Sequence, residues 1–296
     1  SLTINFFVVK MESMNNSNQN VKQKIFWSGK GGDIWVERQT ELDITLEPLG
    51  NAALEKIDLT NSNQLLDIGC GTGRTCIDIA QKFSKCHVSG IDISVPMIGR
   101  AKNLANDEKI LNASFLVQDI QLEPLEADKY DAAFSRFGVM FFDEPKEAFI
   151  NIHNSLKDNS PLSFVCWQSP KVNPWHGVAS MVLKQHLDLP APEKRAPSPF
   201  AFQETDYIDD ILTTAGFKNI IIEPLELKIL WFADQSLDEA VFNFMSLNPV
   251  IAESMESVKS ETKDKITNEL SEAFKPFMTN KGLVFDSATW IVSSNK

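Results

Sequence analysis

The chain has 296 residues, with 28 lysines and arginines against 40 aspartates and glutamates and a formal net charge of −12. At about 150 residues per domain this length holds one large or two modest domains, either able to bury a full core. A 43% hydrophobic, 23% charged composition excludes global disorder, and the acidic balance argues against a nucleic-acid partner bound by neutralising its phosphates.

No stretch approaches the roughly eighteen apolar residues of a membrane span. The apolar run Ile4 to Val9, interrupted by Asn5 and preceded by no basic residue, is too short and wrongly flanked for a secretory signal. Met11 and Met14 are both candidate natural starts. Cys70, Cys76, Cys86 and Cys166 form no CxxC pair and no zinc-like spacing. They read as free thiols of a reducing compartment, with no metal site, and a cytoplasmic location is expected.

The polar tract Asn15 to Asn20 marks residues 1–22 as a loose leader ahead of a single domain, 23–296. Leu42, Leu46, Leu49, Ala53 and Ile57 recur at helical spacing, and Pro48 should break or kink that helix. A strand over 65–68 then runs into glycines and a helix over 72–83. Strands are expected at 87–91, 114–117, 130–135 and 161–167. One intervening helix is capped by Ser94 with Pro96 behind it, and another opens at Asp143-Glu144-Pro145. Strands alternating with helices predict βαβ units and a doubly wound, mostly parallel α/β sheet of seven strands.

The rhythm stops after Trp167. Residues 169–203 carry six prolines around a helical stretch, Val178 to His186. A helix over 204–215 leads into a β run at 217–225, and residues 234–280 read as helical before a last β run at 283–292. The last two β runs can pair antiparallel at one sheet edge. The core is thus expected at 58–168, 204–231 and 281–296, with 169–203 and 232–280 as helical lid insertions.

The most informative segment is Leu65-Leu66-Asp67-Ile68-Gly69-Cys70-Gly71-Thr72-Gly73-Arg74, a buried strand turning through glycines into a helix. Glycines there let the main chain approach a ligand, and a helix N-terminus favours an anion. The dinucleotide fingerprint asks for glycine where Arg74 stands. Asp92 ends the second strand, 23 residues after Gly69, where a carboxylate can accept both hydroxyls of a ribose. Asp119 follows the third strand. The fourth carries Tyr130-Asp131-Ala132-Ala133-Phe134-Ser135-Arg136-Phe137-Gly138-Val139-Met140-Phe141-Phe142.

These four elements, in this order, resemble the class I S-adenosylmethionine (SAM) dependent methyltransferases, in particular small-molecule enzymes related to quinone biosynthesis. The resemblance covers 63–168 well and the flanks more loosely. It implies a Rossmann-like fold, SAM as cofactor with S-adenosylhomocysteine as product, and methyl transfer to a small, partly hydrophobic acceptor by in-line displacement. By the same resemblance Gly69, Gly71 and Gly73 form the cofactor turn, and Asp67 meets the methionine amino group or a nearby backbone N–H. Asp92 takes the ribose, Asp119 the adenine amino group, and Ile120 packs on the ring. Ile93, Met97, Arg136 and Phe137 complete the cofactor set, with Trp35 and Arg38 closing over it from the N-terminal helix.

Phe137, Phe141, Trp167 and Trp175 are candidates for lining the acceptor site at the C-terminal ends of the strands. His176 is the candidate general base, and a packing role in the lid is its competing reading. Two other functions stand beside methyl transfer: a SAM-binding regulator without turnover, and an NAD(P)-dependent oxidoreductase.

Overall fold

Leu65, Leu66 and Ile68 are almost wholly shielded from solvent, as a strand covered on both faces must be. They belong to β1 (Gln64–Ile68), the centre of a sheet in the computed structural model, which describes residues 20–189, 191 and 193–296. From β1 the chain winds outward through α4 (Arg74–Lys82), β2 (His87–Asp92), α5 (Val95–Asp107) and β3 (Ala113–Val117). It then crosses back to lay β4 (Ala132–Arg136) on the other side of β1. The crossover α6 (Pro145–Ser155) leads to β5 (Pro161–Trp167), the last parallel strand.

The chain next runs through α7 (Pro174–Leu183) and α8 (Thr205–Ala215) to β6 (Lys218–Trp231), and it closes on β7 (Met278–Thr279) and β8 (Gly282–Asn295). β8 inserts between β5 and β6, antiparallel to both, so the sheet reads β3-β2-β1-β4-β5-β8-β6 with the short β7 paired to β8. That is the expected doubly wound sheet with an antiparallel edge pair, extended by the two-residue β7. The winding reverses between β1 and β4, which opens a crevice beyond their carboxyl ends.

Several local expectations change. Among the described residues three helices precede β1: α1 (Val21–Ser28), α2 (Lys30–Glu37) and α3 (Gln39–Leu54). Pro48 lies inside α3 without ending it. A proline deletes one main-chain bond, here on the exposed side, while Leu42, Leu46, Leu49 and Ala53 hold the opposite face in the core. The leader boundary shortens, because Val21 and Lys22 are helical and Asn20 is buried; the rest of that segment, residues 1–19, lies outside the described residues.

β6 runs six residues beyond the expected end. Leu225 and Trp167 both pair with Thr289, so the remainder of β6 rises past β5 as an arm with β8. Pro224 is tolerated because β6 is an edge strand. Against this arm pack α7 and, from the second insertion, α9 (Leu237–Leu247) and the end of α11 (Ser260–Phe274), while α10 (Pro249–Ser257) packs on α9.

Candidate functional site

The turn after β1 is made of main chain held at close quarters. Gly69 and Cys70 both donate their N–H to the Ile91 carbonyl, at 2.8 and 3.1 Å. Gly69 has φ +65°, and a Cβ there would lie 2.9 Å from Gly138 Cα in the loop after β4. The two loops therefore touch backbone to backbone, and only glycine fits. Gly71, at φ +56°, has a different reason: its Cβ would meet only Met97 Sδ, at 3.8 Å, so its missing side chain leaves open space. Gly73 serves packing, since a Cβ would come within 2.6 Å of Ala101 Cβ.

Asp92 at the end of β2 is buried, and its two oxygens accept from the N–H of Gly71 (2.8 Å) and of Ser94 (2.9 Å). Burial pushes its carboxyl above the ordinary range, and these backbone donors oppose the rise. Ser94 caps α5 by accepting from Met97 N–H and donates its own hydroxyl to Trp27 O at 2.5 Å, tying α1 to this loop. Asp119, equally buried, accepts from Gln121 N–H and from Asn20 Nδ2, both at 3.0 Å.

Between these groups lies a cavity enclosing about 710 Å³ of atom-free space. Its acidic end holds Asp92 and Asp119; its apolar walls come from Trp27, Trp35, Phe137, Phe141 and Phe142. Trp27 meets Phe141 edge to face at 4.9 Å between centroids, and Phe137 stacks on Trp167 at 4.6 Å. Phe137 holds φ +58°, an uncommon conformation for a bulky residue, and its N–H donates to Val165 O. Arg136 forms part of the wall, its guanidinium paired with Asp43 at 2.6 Å. Gly50 makes room for it, because a Cβ there would sit 2.7 Å from Arg136 Cδ.

Ten of the thirteen residues assigned to the cofactor from the sequence line this one cavity: Trp35, Gly69, Gly71, Asp92, Ile93, Met97, Asp119, Ile120, Arg136 and Phe137. Three do not. Gly73 packs α4 on α5, as above. Arg38 bonds Glu41 and Asn243, joining α2 to α9. Asp67 is wholly buried off the cavity wall, and the thiol of Cys76 donates to it at 3.1 Å. Burial pushes the Asp67 carboxyl up to about 7, against the opposing effects of that thiol and of Arg136.

His176 also stands away from the cavity. Its ring packs on Phe200 and Trp175, its Nε2 lies 3.1 Å from Ser180 Oγ, and burial lowers its basicity. The packing reading of His176 is the one the geometry supports. Trp167 and Trp175 stand behind Phe137 and not on the cavity wall, Trp175 tilting against Trp167 and Trp231. The sequence reading missed Asn20, Gln23 and Trp27 from the N-terminal segment. Nothing local signals them, since Asn20 reaches Asp119 from 99 residues away.

The same stretch of chain that builds this crevice, residues 59–176, matches a family model described as a methyltransferase domain. Over that stretch the chain is similar to the methyltransferase family. Among curated relatives, the O-methyltransferase rstn1 of Aspergillus nomiae is 26% identical over 128 residues, 43% of this chain and 56% of that protein. Demethylmenaquinone methyltransferase of Chlamydia muridarum is 27% identical over 135 residues, 45% of this chain and 56% of its own. The chain thus spans little more than half the length of these relatives. Its fold is similar to that of phosphoethanolamine N-methyltransferase 2 of Haemonchus contortus, solved in complex with S-adenosyl-L-methionine. The TM-score is 0.52 at 16% identity, covering 84% of this chain and 52% of the other. No described helix is long and apolar enough to cross a membrane.

Proposed function

We propose that this chain is a SAM-dependent methyltransferase acting on a small, partly hydrophobic acceptor, with S-adenosylhomocysteine as the product. The observation that carries the reading is the single cavity at the winding reversal, where Asp92 and Asp119 mark one end and aromatic rings enclose the other. The residues present fit the cofactor. Each carboxylate oxygen of Asp92 accepts one backbone N–H and keeps a lone pair for a ribose hydroxyl. Asp119 and Ile120 suit the adenine, and the open space at Gly71 and the wall at Arg136 suit the amino-acid end.

When bound, the cofactor supplies a methyl group on a sulfonium, an already activated donor. The protein's share is then alignment and exclusion of water, which Trp27, Trp35, Phe137, Phe141 and Phe142 provide. The cavity lining holds no histidine, cysteine, lysine or tyrosine. Its two carboxylates are already engaged by Gly71, Ser94, Gln121 and Asn20. Such a lining suits an acceptor that attacks with its own electron pair, such as an ionised phenol or enol. The name of one curated relative, a demethylmenaquinone methyltransferase, agrees with a small acceptor, and the net charge of −12 disfavours a nucleic acid. The free cysteines suit a cytoplasmic setting.

Titration calorimetry with SAM, S-adenosylhomocysteine and NAD tests this. Micromolar binding of the first two without NAD is expected, and Asp92→Ala should weaken SAM binding by roughly 1.5–3 kcal/mol, the scale of hydrogen bonds to a charged group. Binding of NAD alone would move the chain to the oxidoreductases. Tight SAM binding with no turnover across an acceptor screen would favour the regulator.

A further inference from the structure

Most acceptors at the acidic end of the cavity already hold a hydrogen bond. Asp119 Oδ1 accepts from Gln121 N–H and Oδ2 from Asn20 Nδ2. Gln23 Oε1 accepts from Trp27 Nε1, and Gln118 Nε2 donates to the carbonyls of Glu123 and Pro124. Asn20 Oδ1 has no partner among the described residues, although Asn20 is only 6% exposed and lines the cavity. A buried amide oxygen without a donor is an unfilled acceptor.

Asn20 is also held in place. Its Nδ2 is anchored on Asp119, and the helix it heads is pinned to the loop after β2 by Ser94 Oγ donating to Trp27 O and Ser28 Oγ donating to Ile93 O. The N-terminal strap thus holds a buried amide oxygen beside a carboxylate, on two residues that both line the cavity.

We infer that Asn20 is a second recognition residue for the exocyclic amino group of the cofactor's purine, an inference that rests on reading the cavity as a SAM site. An amino group carries two N–H bonds, and here two acceptors stand side by side, Asn20 Oδ1 and Asp119. The carboxylate oxygen that accepts from Asn20 retains a second lone pair. A 6-oxo base offers a carbonyl oxygen at the same place, opposed by both acceptors. The pair therefore selects the amino purine, partly by repelling its deaminated counterpart.

The test is calorimetry on the full chain with S-adenosylhomocysteine and its 6-oxo analogue, S-inosylhomocysteine, for the wild type, Asn20→Ala and Asn20→Ser. The wild type should prefer the amino form. Asn20→Ala should weaken that form about fivefold to tenfold and leave the analogue unchanged or tighter, so the preference contracts by that factor. Asn20→Ser, which keeps an acceptor, should fall between. An equal loss for both ligands, or an unchanged ratio, would reduce Asn20 to a packing role and overturn the inference. If the wild type binds and Asp92→Ala weakens it while the Asn20 ratio stays fixed, this inference alone fails. No binding by the wild type would remove the SAM reading and this inference together.

Discussion

The two ends of the sheet's carboxyl edge are built in opposite ways. Around β1, β2 and β4 main chain presses on main chain: Gly69 against Gly138, Gly71 N–H on Asp92, the Gly69 and Cys70 amides sharing one carbonyl. Around the β6–β8 arm side chain packs on side chain. Trp175 meets Trp167, Phe200 and Trp231, while Phe274 meets Phe244 and Phe285. In the first region the contact of Gly69 on Gly138 admits no added atom and dictates residue identity. The second is a sum of aromatic contacts in which many side chains of similar volume would serve.

The sharpest way to break that contrast is a pair of glycine substitutions. Gly69→Ala adds a methyl against backbone in a left-handed conformation and should cost roughly 3–4 kcal/mol of stability. Gly216→Ala, at φ +98° where the new atom meets only the His153 ring, should cost about 1 kcal/mol. Urea midpoints of the two variants measure this directly. Equal losses would mean that the β1–β4 loop contact has no special rigidity.

A smaller effect belongs to Asp67, beneath the same turn. Its folded carboxyl titrates near 7 against an ordinary 3.8, so the native state holds a proton that the unfolded chain has released. The stabilisation from that proton is full below about pH 3.8 and is lost as pH rises through about 7. Asp67→Asn should flatten stability across that window, with a relative gain above pH 7 on the order of 2–3 kcal/mol. Parallel pH curves for variant and wild type would show that Asp67 is ionised throughout.

The smallest effect is expected on the other side. His176→Ala removes ring packing on Phe200 and the contact with Ser180 and should lower stability by about 1 kcal/mol. The pH profile of turnover should not move. Loss of a basic limb from that profile would restore His176 as a base and erase the division between a functional and a packing region.

The same division explains what was legible before the structure. The glycines, Asp92 and Asp119 could be read from their spacing because each answers a local demand, such as a left-handed turn or the end of a buried strand. The doubly wound order and the antiparallel pairing of the last two β runs followed from period and connection length. His176 and Arg38 could not be placed, because a histidine or arginine on a helix looks the same whether it faces a cavity or a neighbouring helix. Asp67 was read correctly as needing a partner, but a thiol nine residues further on, in α4, met the need. Pro48 stays within α3, where burial of the opposite face outweighs its low helix propensity.

By itself the sequence determined the periodicities, the glycine turn and the order of the acids, since these depend on bonds and dihedral angles within a few residues. Tertiary structure alone decided which side chains share the cavity, that Trp27 and Asn20 close it from the N-terminal strap, and that Asp43 holds Arg136. Those contacts join residues tens of positions apart. Their energies exist only once the sheet has brought both partners to one edge.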